Sequence, residues 1–581
     1  PGRFVLEPVA SCQWMPRHPT TDYSAASDYA EQLGVSNLVA RLLIARQFSI
    51  DSARQFLTVR LADLPDPFLL PDMDIAVKRL HAAIENGEKI AVHGDYDVDG
   101  ISGTVLLTAV LGAFGAAVEY HIPLRLRDGY GLSGEAIKDA AARGIAVLVS
   151  VDCGVSSHEE AEIARQHGVD LIVTDHHQAP STLPQAVAVI NPQRKDSGFP
   201  FQPLAGVGVA FFLLIALRKA LREAGWFKQR PEPDLRDYLD LVALGTIADL
   251  VPLRGVNRIM ARHGLRLIEN RPRIGLRALK QVASVKKVSS GVVAFQLAPR
   301  LNAAGRMEDA ALGVELLLEE DLVQALQTAR YLDQCNRRRQ ELEQQTMREA
   351  EAAISGLSER ATHAIVLGGE GWHPGVIGIV ASRIVERYHR PTVLVALDGD
   401  GGKGSARSIR GYHLYRALQS CADHLMAFGG HEMAAGLSLG REDLPAFAST
   451  LEAHARAELG VDDLLPSINH DGTVLLEEIN LDTLHQMAGM APFGMDNPEP
   501  LMVVESARAM RVQEIKGGHL RFTVCQGAFS HPAIAFGMLG RREDLQGEID
   551  LLVAPQINDY QGRETVQLRV KDIRKSVKRE M

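Results

Sequence analysis

Residues 88–100 read EKIAVHGDYDVDG, a short apolar run that ends in a loop of aspartates. Three further runs rich in Val and Ile follow, each closed by a polar loop: IAVLVSVDCG at 145–154, VDLIVTDHH at 169–177 and AVAVINP at 186–192. Helical patterns lie between these runs. The alternation of strands with helices predicts βαβ units and therefore a parallel sheet.

The rest of the chain changes character at several points. Beyond Gly313 a charged pattern has apolar residues at spacings of three and four and no further Gly or Pro, which predicts one or two long helices. From about residue 466, short alternating runs, the first at 472–479, are typical of a small sandwich or barrel. We predict five segments: helices at 1–70, a parallel-sheet domain at 71–310, a connecting helix at 311–356, a smaller α/β domain at 357–462 and a β domain at 463–581.

Composition narrows the class of protein. The 581 residues carry a net charge of −10, which argues against a protein that coats nucleic acid by bulk attraction. We find no apolar run of membrane-spanning length and no signal peptide, so we expect no membrane association. The five cysteines form no CxxC pair, which argues against a disulfide framework or a zinc ribbon and favours a cytoplasmic location.

Acidic and imidazole side chains directly follow three of the predicted strands. They are His93, Asp95, Asp97 and Asp99 after the first, Asp152 after the second, and Asp175, His176 and His177 after the third. Because ligands bind beyond the carboxyl ends of parallel strands, these groups are expected to share one site. Clustered carboxylates repel one another, and one or two divalent cations would remove that penalty. Oxygen ligands with a few imidazoles suit manganese or magnesium.

Other interpretations of these motifs are weaker. An EF-hand loop starting at Asp95 would need a glutamate where Leu106 stands, and it would follow a helix rather than a strand. A single aspartate after a strand usually caps a helix. A pair of histidines usually lies on the surface or in the core without binding a ligand. The GVGVA stretch at Gly206 is a poor dinucleotide fingerprint and indicates tight helix packing instead.

Together these residues resemble the DHH phosphoesterase superfamily, named for the motif found here at Asp175-His176-His177. The resemblance covers about residues 70 to 575 and has one small departure, Leu124 where the superfamily often has Asn before Arg125. Three other segments resemble further motifs of the superfamily: His93–Gly100, Val151–Gly154 and Thr246–Pro252. Three later segments resemble its associated DHHA1 domain: Gly371–Gly378, Gly404–Ser408 and Gly429–Gly436. Two segments, Arg300–Arg306 and Pro492–Pro498, resemble the RecJ exonuclease family.

The resemblance implies a role for each group. Two divalent ions, Mn²⁺ or Mg²⁺, would be held by His93, Asp97 and Asp152 and by Asp99, Asp152, His176 and Asp249, with Asp152 shared. Asp95, Asp175 and His177 would assist catalysis from beside the ions or face the substrate. The substrate strand would be bound by Arg125, Asn302, Arg306, His373, Ser405, Arg407 and His431.

The resemblance also implies a fold and a function. The fold would be multidomain α/β: a parallel-sheet DHH domain, a long connecting helix, a smaller α/β DHHA1 domain and a C-terminal OB-fold β-barrel, whose phenylalanines (Phe493, Phe522, Phe529, Phe536) are core residues more often than stacking residues. The function would be that of a metal-dependent exodeoxyribonuclease, specific for single-stranded DNA and acting from 5′ to 3′ in recombination and repair.

Its partners would be single-stranded DNA, single-stranded-DNA-binding protein and a recombination or repair helicase. Two alternatives remain open. One is a DHH phosphodiesterase for short oligonucleotides or cyclic dinucleotides, although the third domain favours a polymer. The other is a non-catalytic replication scaffold, which would be expected to lack metal ligands.

Overall fold

The computed structural model describes residues 12–19, 21–123, 131–307, 309–357 and 362–576. Contacts divide the chain into two compact units, one comprising Pro16–Tyr331 with Asn469–Met581 and the other Pro1–Met15 with Leu332–Ile468. No helix in the described ranges combines the length and apolar character that a membrane span needs. The larger unit contains a five-stranded sheet and a closed barrel, and the other unit contains a second five-stranded sheet.

The N-terminal part is a group of short helices, as its pattern predicts. Helix α2 begins after Ser36, whose hydroxyl oxygen accepts a hydrogen bond from the Val39 N–H at 3.3 Å, a normal N-cap. Apolar residues of α2 and α3 pack in one core with the C-terminal β-barrel. The elements are β1 (Gln13–Pro16), α1 (Ala26–Leu33), α2 (Asn37–Ala45) and α3 (Ile50–Leu57).

The predicted parallel sheet is confirmed. Its strand order is β3-β2-β4-β5-β6, and every neighbouring pair is parallel. In register, Gly94 of β2 pairs with Val151 of β4, and Val151 pairs with Thr174 of β5, so these three strands end at one level. The strands are β2 (Lys89–Gly94), β3 (Ala117–His121), β4 (Ile145–Val151), β5 (Asp170–Thr174) and β6 (Ala188–Ile190).

Eleven helices accompany this sheet in the described residues. Val293–Leu297, between α12 and α13, form a π-helix. The α-helices are α4 (Met73–Asn86), α5 (Val98–Ala113), α6 (Gly134–Ala142), α7 (His158–Gln166), α8 (Gly206–Glu223), α9 (Leu239–Ala248), α10 (Gly255–Asn270), α11 (Ile274–Val282), α12 (Ser290–Val292), α13 (Ala298–Met307) and α14 (Ala311–Leu318).

The long charged pattern forms helix α15 (Leu322–Ile354), and a smaller α/β sheet follows it. This sheet has the order β10-β11-β9-β8-β7, and only β7 and β8 are parallel. The glycine-rich strands β9 and β11 were not evident from the sequence. In β9 a Cβ on Gly404 would lie 2.5 Å from Leu437 Cδ1, so close packing requires glycine. The elements are β7 (Ile365–Glu370), α16 (Pro374–Tyr388), β8 (Thr392–Asp398), β9 (Gly401–Arg407), α17 (Leu414–Ser420), β10 (Ala427–Gly430), β11 (Ala434–Gly440) and α18 (Leu444–Glu458).

The C-terminal segment is a closed barrel with the order β13-β14-β15-β17-β16, which confirms the predicted β-barrel. Phe522 is buried in its core, whereas Phe529 and Phe536 are about half exposed. The elements are β12 (Ser467–His470), α19 (Leu481–Ala488), β13 (Met502–Ile515), β14 (His519–Gln526), β15 (Phe529–Ala535), β16 (Ile549–Tyr560) and β17 (Arg563–Lys575).

The expected strand at 472–479 is wrong. These residues contribute one isolated bridge, between Thr473 and Val503, and then a 3-10 turn at Leu476–Glu478. Within this turn the Leu475 N–H donates to the Glu478 carboxylate at 2.9 Å. Leu476 and Ile479 are both buried in the core shared with the barrel, so the apolar spacing serves a turn rather than a strand.

Candidate metal centre

Most of the carboxylates and imidazoles predicted to share a site converge at the carboxyl ends of β2, β4 and β5. Helix α9 brings Asp249, from a later part of the chain, to the same place. In each of three groups the potential ligand atoms lie within 4.8 Å of one another: Asp95, Asp97 and Asp152; Asp99, His176 and Asp249; and Asp152, His176 and His177. Asp152 and His176 each belong to two groups, so the three sets form one continuous cluster.

The aspartate loop is held by backbone N–H groups. Asp97 is the N-cap of α5, and its Oδ1 accepts from the N–H groups of Asp99 and Gly100 at 2.9 and 3.1 Å. Asp99 is fully buried and accepts from the N–H groups of Gly206 and Val207, at the start of α8, at 2.6 and 3.0 Å. The positive end of the α8 dipole therefore faces this buried carboxylate.

Two glycines are required by close approach to the cluster. A Cβ on Gly206 would lie 2.7 Å from the Cβ of Asp152, and one on Gly245 would lie 2.6 Å from Oδ1 of Asp99. Gly206 was interpreted from the sequence as helix packing alone, and Gly245 was not singled out. In the sequence, the only indication of this close approach is that Gly206 begins an apolar helix and Gly245 lies near the C-terminus of another.

His176 lies at the middle of the cluster. Its Nε2 is 3.0 Å from Oδ1 of Asp152, 3.6 Å from Oδ2 of Asp249 and 3.9 Å from Oδ2 of Asp99. This buried nitrogen makes no hydrogen bond of good geometry with those oxygens. Burial and the neighbouring His177 lower the pKa of His176 to about 4, so the ring is neutral and available as a ligand.

Asp175 organises the histidine pair. Its Oδ1 accepts from the His176 and His177 N–H groups at 2.7 and 3.0 Å and lies 2.7 Å from Nδ1 of His177, while its Oδ2 accepts from the Val155 N–H at 2.9 Å. Burial opposes protonation of His177, but the hydrogen bond and charge of Asp175 outweigh it and raise its pKa to about 9. His177, at 44% side-chain exposure, is the more accessible of the two rings.

The charge distribution of the cluster suits a divalent cation. Burial and the charge of Asp97 raise the pKa of Asp99 to about 7, and burial with the charges of Asp99 and Asp97 raises the pKa of Asp249 to about 9. Burial and the same neighbours hold the pKa of Asp152 well above its usual value. A bound cation removes this repulsion, and carboxylates with a neutral imidazole are a donor set that Mn²⁺ and Mg²⁺ accept.

Other predicted residues of this unit have different surroundings. His93 is buried and lies outside the three groups, with its Nε2 3.2 Å from the Gly131 carbonyl oxygen. Burial and nearby His121 lower the pKa of His93 to about 4. Asn302 accepts a hydrogen bond from the Val98 N–H at 3.1 Å, which ties α13 to the aspartate loop. Arg306 lies half-buried one turn further on, and Arg125 lies outside the described residues.

Four predicted substrate-binding residues belong to the other unit. Nη1 of Arg407 donates to Ser405 Oγ at 3.1 Å, and a Cβ on Gly378 would lie 2.8 Å from that oxygen, so α16 passes close to the pair. His373 is the N-cap of α16 and accepts from the Gly375 N–H at 3.0 Å. His431 is exposed at the end of β10. Ser405 and Arg407 thus lie together on one face of β9.

Leu250, next to Asp249, has a strained backbone. Its φ is +57°, a left-handed conformation that favours glycine at a helix end, and its side chain is 57% exposed. The left-handed conformation costs about 1–2 kcal/mol for an L-residue, whereas glycine loses only about 0.4–1 kcal/mol through its freer unfolded chain. We therefore expect Leu250→Gly to raise the melting temperature by about 1–2 °C in calorimetry. A lower melting temperature would show that the leucine side chain contributes packing that outweighs the strain.

Three known domain families match the chain. The N-terminal domain of the DHH family matches residues 89–246, the DHHA1 domain matches residues 360–457 and the RecJ OB domain matches residues 470–572. The first match contains the loop, strand ends and histidine pair of the cluster. Asp249 lies just beyond its end.

Curated proteins and solved structures resemble nearly the whole chain. The single-stranded-DNA-specific exonuclease RecJ of Bacillus subtilis (strain 168) is 38% identical over 575 residues, which is 97% of this chain and 71% of that protein. The crystal structure of RecJ in complex with Mn²⁺ from Thermus thermophilus matches with a TM-score of 0.81 at 32% identity, over 97% of this chain and 79% of the other. The same protein in complex with Mg²⁺ matches with a TM-score of 0.75 at 30% identity, over 97% and 78% of the two chains.

Proposed function

The chain belongs to the RecJ family of single-stranded-DNA-specific exonucleases, and we propose that its Asp/His cluster holds two divalent ions and hydrolyses single-stranded DNA from the 5′ end. The observation that carries this proposal is the convergence of four separate segments on His176, whose ring nitrogen lies within 4 Å of three carboxylates. Such a cluster is costly unless cations occupy it. This cost supports a metal-dependent hydrolase over a scaffold.

The proposed ligands are those that the family resemblance implies, and the grouping of Asp97 with Asp152 and of Asp99 with His176 and Asp249 supports them. Asp97 and Asp152 would hold one ion with His93, and Asp99, His176 and Asp249 would hold the second with Asp152 shared. Asp95 is a further candidate for the first ion because its carboxylate groups with those of Asp97 and Asp152. When bound, a divalent ion pair lowers the pKa of a water and stabilises the negative charge that develops on the phosphate.

The chain's own residues would orient the substrate. Asp175 fixes the ring of His177 by accepting from Nδ1, and a protonated His177 can donate a hydrogen bond to a phosphate oxygen. In the larger unit, Arg125 and Arg306 would bind phosphates of the strand through paired N–H groups, assisted by Asn302. In the other unit, Arg407 would do the same, assisted by Ser405, His373 and His431. Cleavage of the bond between phosphorus and the 3′ oxygen would release 5′-mononucleotides.

Strand polarity and substrate class can be tested with labelled DNA. Oligonucleotides labelled at either end, single-stranded or in duplex, would be incubated with Mn²⁺, with Mg²⁺ and with EDTA. We expect a 5′ label to appear first as a mononucleotide, while a 3′ label stays on shortening fragments, only on single strands and only with metal. Early release of the 3′ label, equal digestion of duplex, or activity in EDTA would contradict the proposal.

Binding to a DNA polymer should depend on salt. Basic side chains that contact phosphates displace counterions, so log Kd changes by roughly 0.7 per neutralised phosphate for each tenfold rise in salt. With three or more contacts, affinity for a single-stranded 20-mer is expected to fall at least about 100-fold per tenfold increase in salt. A salt-independent affinity would favour a small substrate instead.

We further propose a cytoplasmic location and association with single-stranded-DNA-binding protein and a repair helicase. None of the five cysteines forms a disulfide, which supports a reducing compartment. Pull-down of these two proteins with the full chain would test the association.

A further inference from the structure

Phe295 is exposed on the helical segment that leads to Asn302 and its contact with the aspartate loop. Its side chain is 79% exposed, more than any other phenylalanine or tyrosine in the described ranges. It lies in the π-helix Val293–Leu297, and single π turns are frequent at functional sites. An exposed phenylalanine adds little to the stability of the fold, and single exposed apolar side chains are common, so what distinguishes Phe295 is the helix on which it lies.

The helix that carries Phe295 is anchored at two places along its length. Val293 and Leu297 are buried, and this part of the helix packs against α9, which ends next to Asp249. Further along, Asn302 accepts from the Val98 N–H of the aspartate loop, and a Cβ on Gly305 would lie 2.9 Å from the Tyr96 carbonyl oxygen. The position of Phe295 relative to the cluster is therefore fixed.

The side of this helix that carries Phe295 also carries a polar and a basic side chain. Seven residues, about two turns and about 10 Å, separate Phe295 from Asn302, so both lie on one side, and Arg306 follows one turn later. Arg300 lies between them and donates to the Gln296 carbonyl at 2.5 Å. Arginines beside an exposed aromatic ring are the combination that binds single-stranded nucleic acid.

We propose that Phe295 stacks on a base of the single-stranded DNA substrate while the scissile phosphate lies at the metal centre. This inference rests on the proposed function. Stacking suits an exonuclease without sequence preference because every base presents a ring face. Phe295 would then be a substrate-positioning residue that holds the strand a short distance inside the degraded end.

Abasic nucleotides separate stacking from other effects. Dissociation constants would be measured in EDTA, where no hydrolysis is expected, for wild type and for Phe295→Ala, Phe295→Leu and Phe295→Trp. The oligonucleotides would be intact or would carry one abasic sugar at each of the first several positions. Loss of one base–aromatic stack is expected to weaken binding about 5- to 100-fold in the Ala and Leu variants, whereas Trp retains affinity.

At the stacked position the abasic sugar should lower the affinity of wild type for the oligonucleotide by a similar factor. It should leave the affinity of Phe295→Ala unchanged. Val323→Ala, which removes a 62% exposed aliphatic side chain near the start of α15, is the matched control and should bind as wild type. Equal affinity of Phe295→Ala and wild type, or a loss in Phe295→Ala that no abasic position cancels, would overturn the stacking. Wild type that fails to degrade single strands with Mn²⁺ would instead overturn the proposed function.

Discussion

Asp152→Ala is expected to lower the rate of single-strand degradation by about 1000-fold or more, since a shared ligand contributes several kcal/mol to the stabilised transition state. Asp152 is the ligand that the proposal shares between the two ions; its carboxylate groups with those of Asp95 and Asp97, and its Oδ1 lies 3.0 Å from Nε2 of His176. Its left-handed backbone, with φ at +64°, places the carboxylate beside Gly206. The measurement is release of mononucleotides from an end-labelled oligonucleotide with Mn²⁺.

Thermal melting of Asp152→Asn distinguishes lost metal binding from lost folding. Without metal, the variant should melt at or above the wild-type temperature because one buried carboxylate of a repelling cluster is gone. Mn²⁺ should stabilise wild type strongly and the variant little. Asp51→Asn, which changes a carboxylate with 96% side-chain exposure, is the control and should behave as wild type. Full activity of Asp152→Ala would refute the assignment.

Arg258→Met is expected to destabilise the larger unit by about 3–5 kcal/mol, as for other buried polar networks that lose one partner. Arg258 is 2% exposed and donates to the carbonyl oxygens of Phe56 at 2.5 Å, Gly489 at 2.8 Å and Ala491 at 3.0 Å. Its guanidinium carbon also lies 3.9 Å from the centroid of the Phe56 ring. The substitution leaves three carbonyl groups without this donor.

Calorimetry of Arg258→Met should show a melting temperature lower by roughly 3–6 °C. Burial and the charge of Arg262 lower the pKa of Arg258 to about 9, so the pairing overcomes a real desolvation cost. Arg266→Met on the same helix, α10, is the matched control because its side chain is exposed. If both variants melt at the same temperature, the three hydrogen bonds contribute nothing net.

Much of the metal centre could be predicted from the sequence because of the geometry of parallel sheets. Asp95, Asp152 and Asp175 each follow a buried strand, and strands in register end at one level. Their convergence is therefore a consequence of strand order rather than of long-range detail. The βαβ rhythm that predicts the sheet also predicts the edge at which the site lies.

Residues that reach the site from helices could not be predicted in this way. Asp249 follows α9, and only the family resemblance pointed to it. The N–H groups of Gly206 and Val207 that bind Asp99 come from the start of α8, 107 residues along the chain from that carboxylate. Contacts of this kind depend on how helices pack, which a local pattern does not encode.

Local patterns also failed where tertiary packing decided the conformation. The glycine-rich strand β9 lacks the Val and Ile content by which strands are identified, because large side chains of its neighbours occupy the space. Conversely, residues 472–479 alternate as a strand would, yet Leu476 and Ile479 reach the core from a turn.

The most direct test of the account is anomalous diffraction from crystals of the full chain grown with Mn²⁺. We predict two Mn²⁺ peaks among Asp97, Asp99, Asp152, His176 and Asp249, with Asp152 in contact with both. Peaks that lie only elsewhere, in crystals of a preparation that degrades single-stranded DNA, would contradict it.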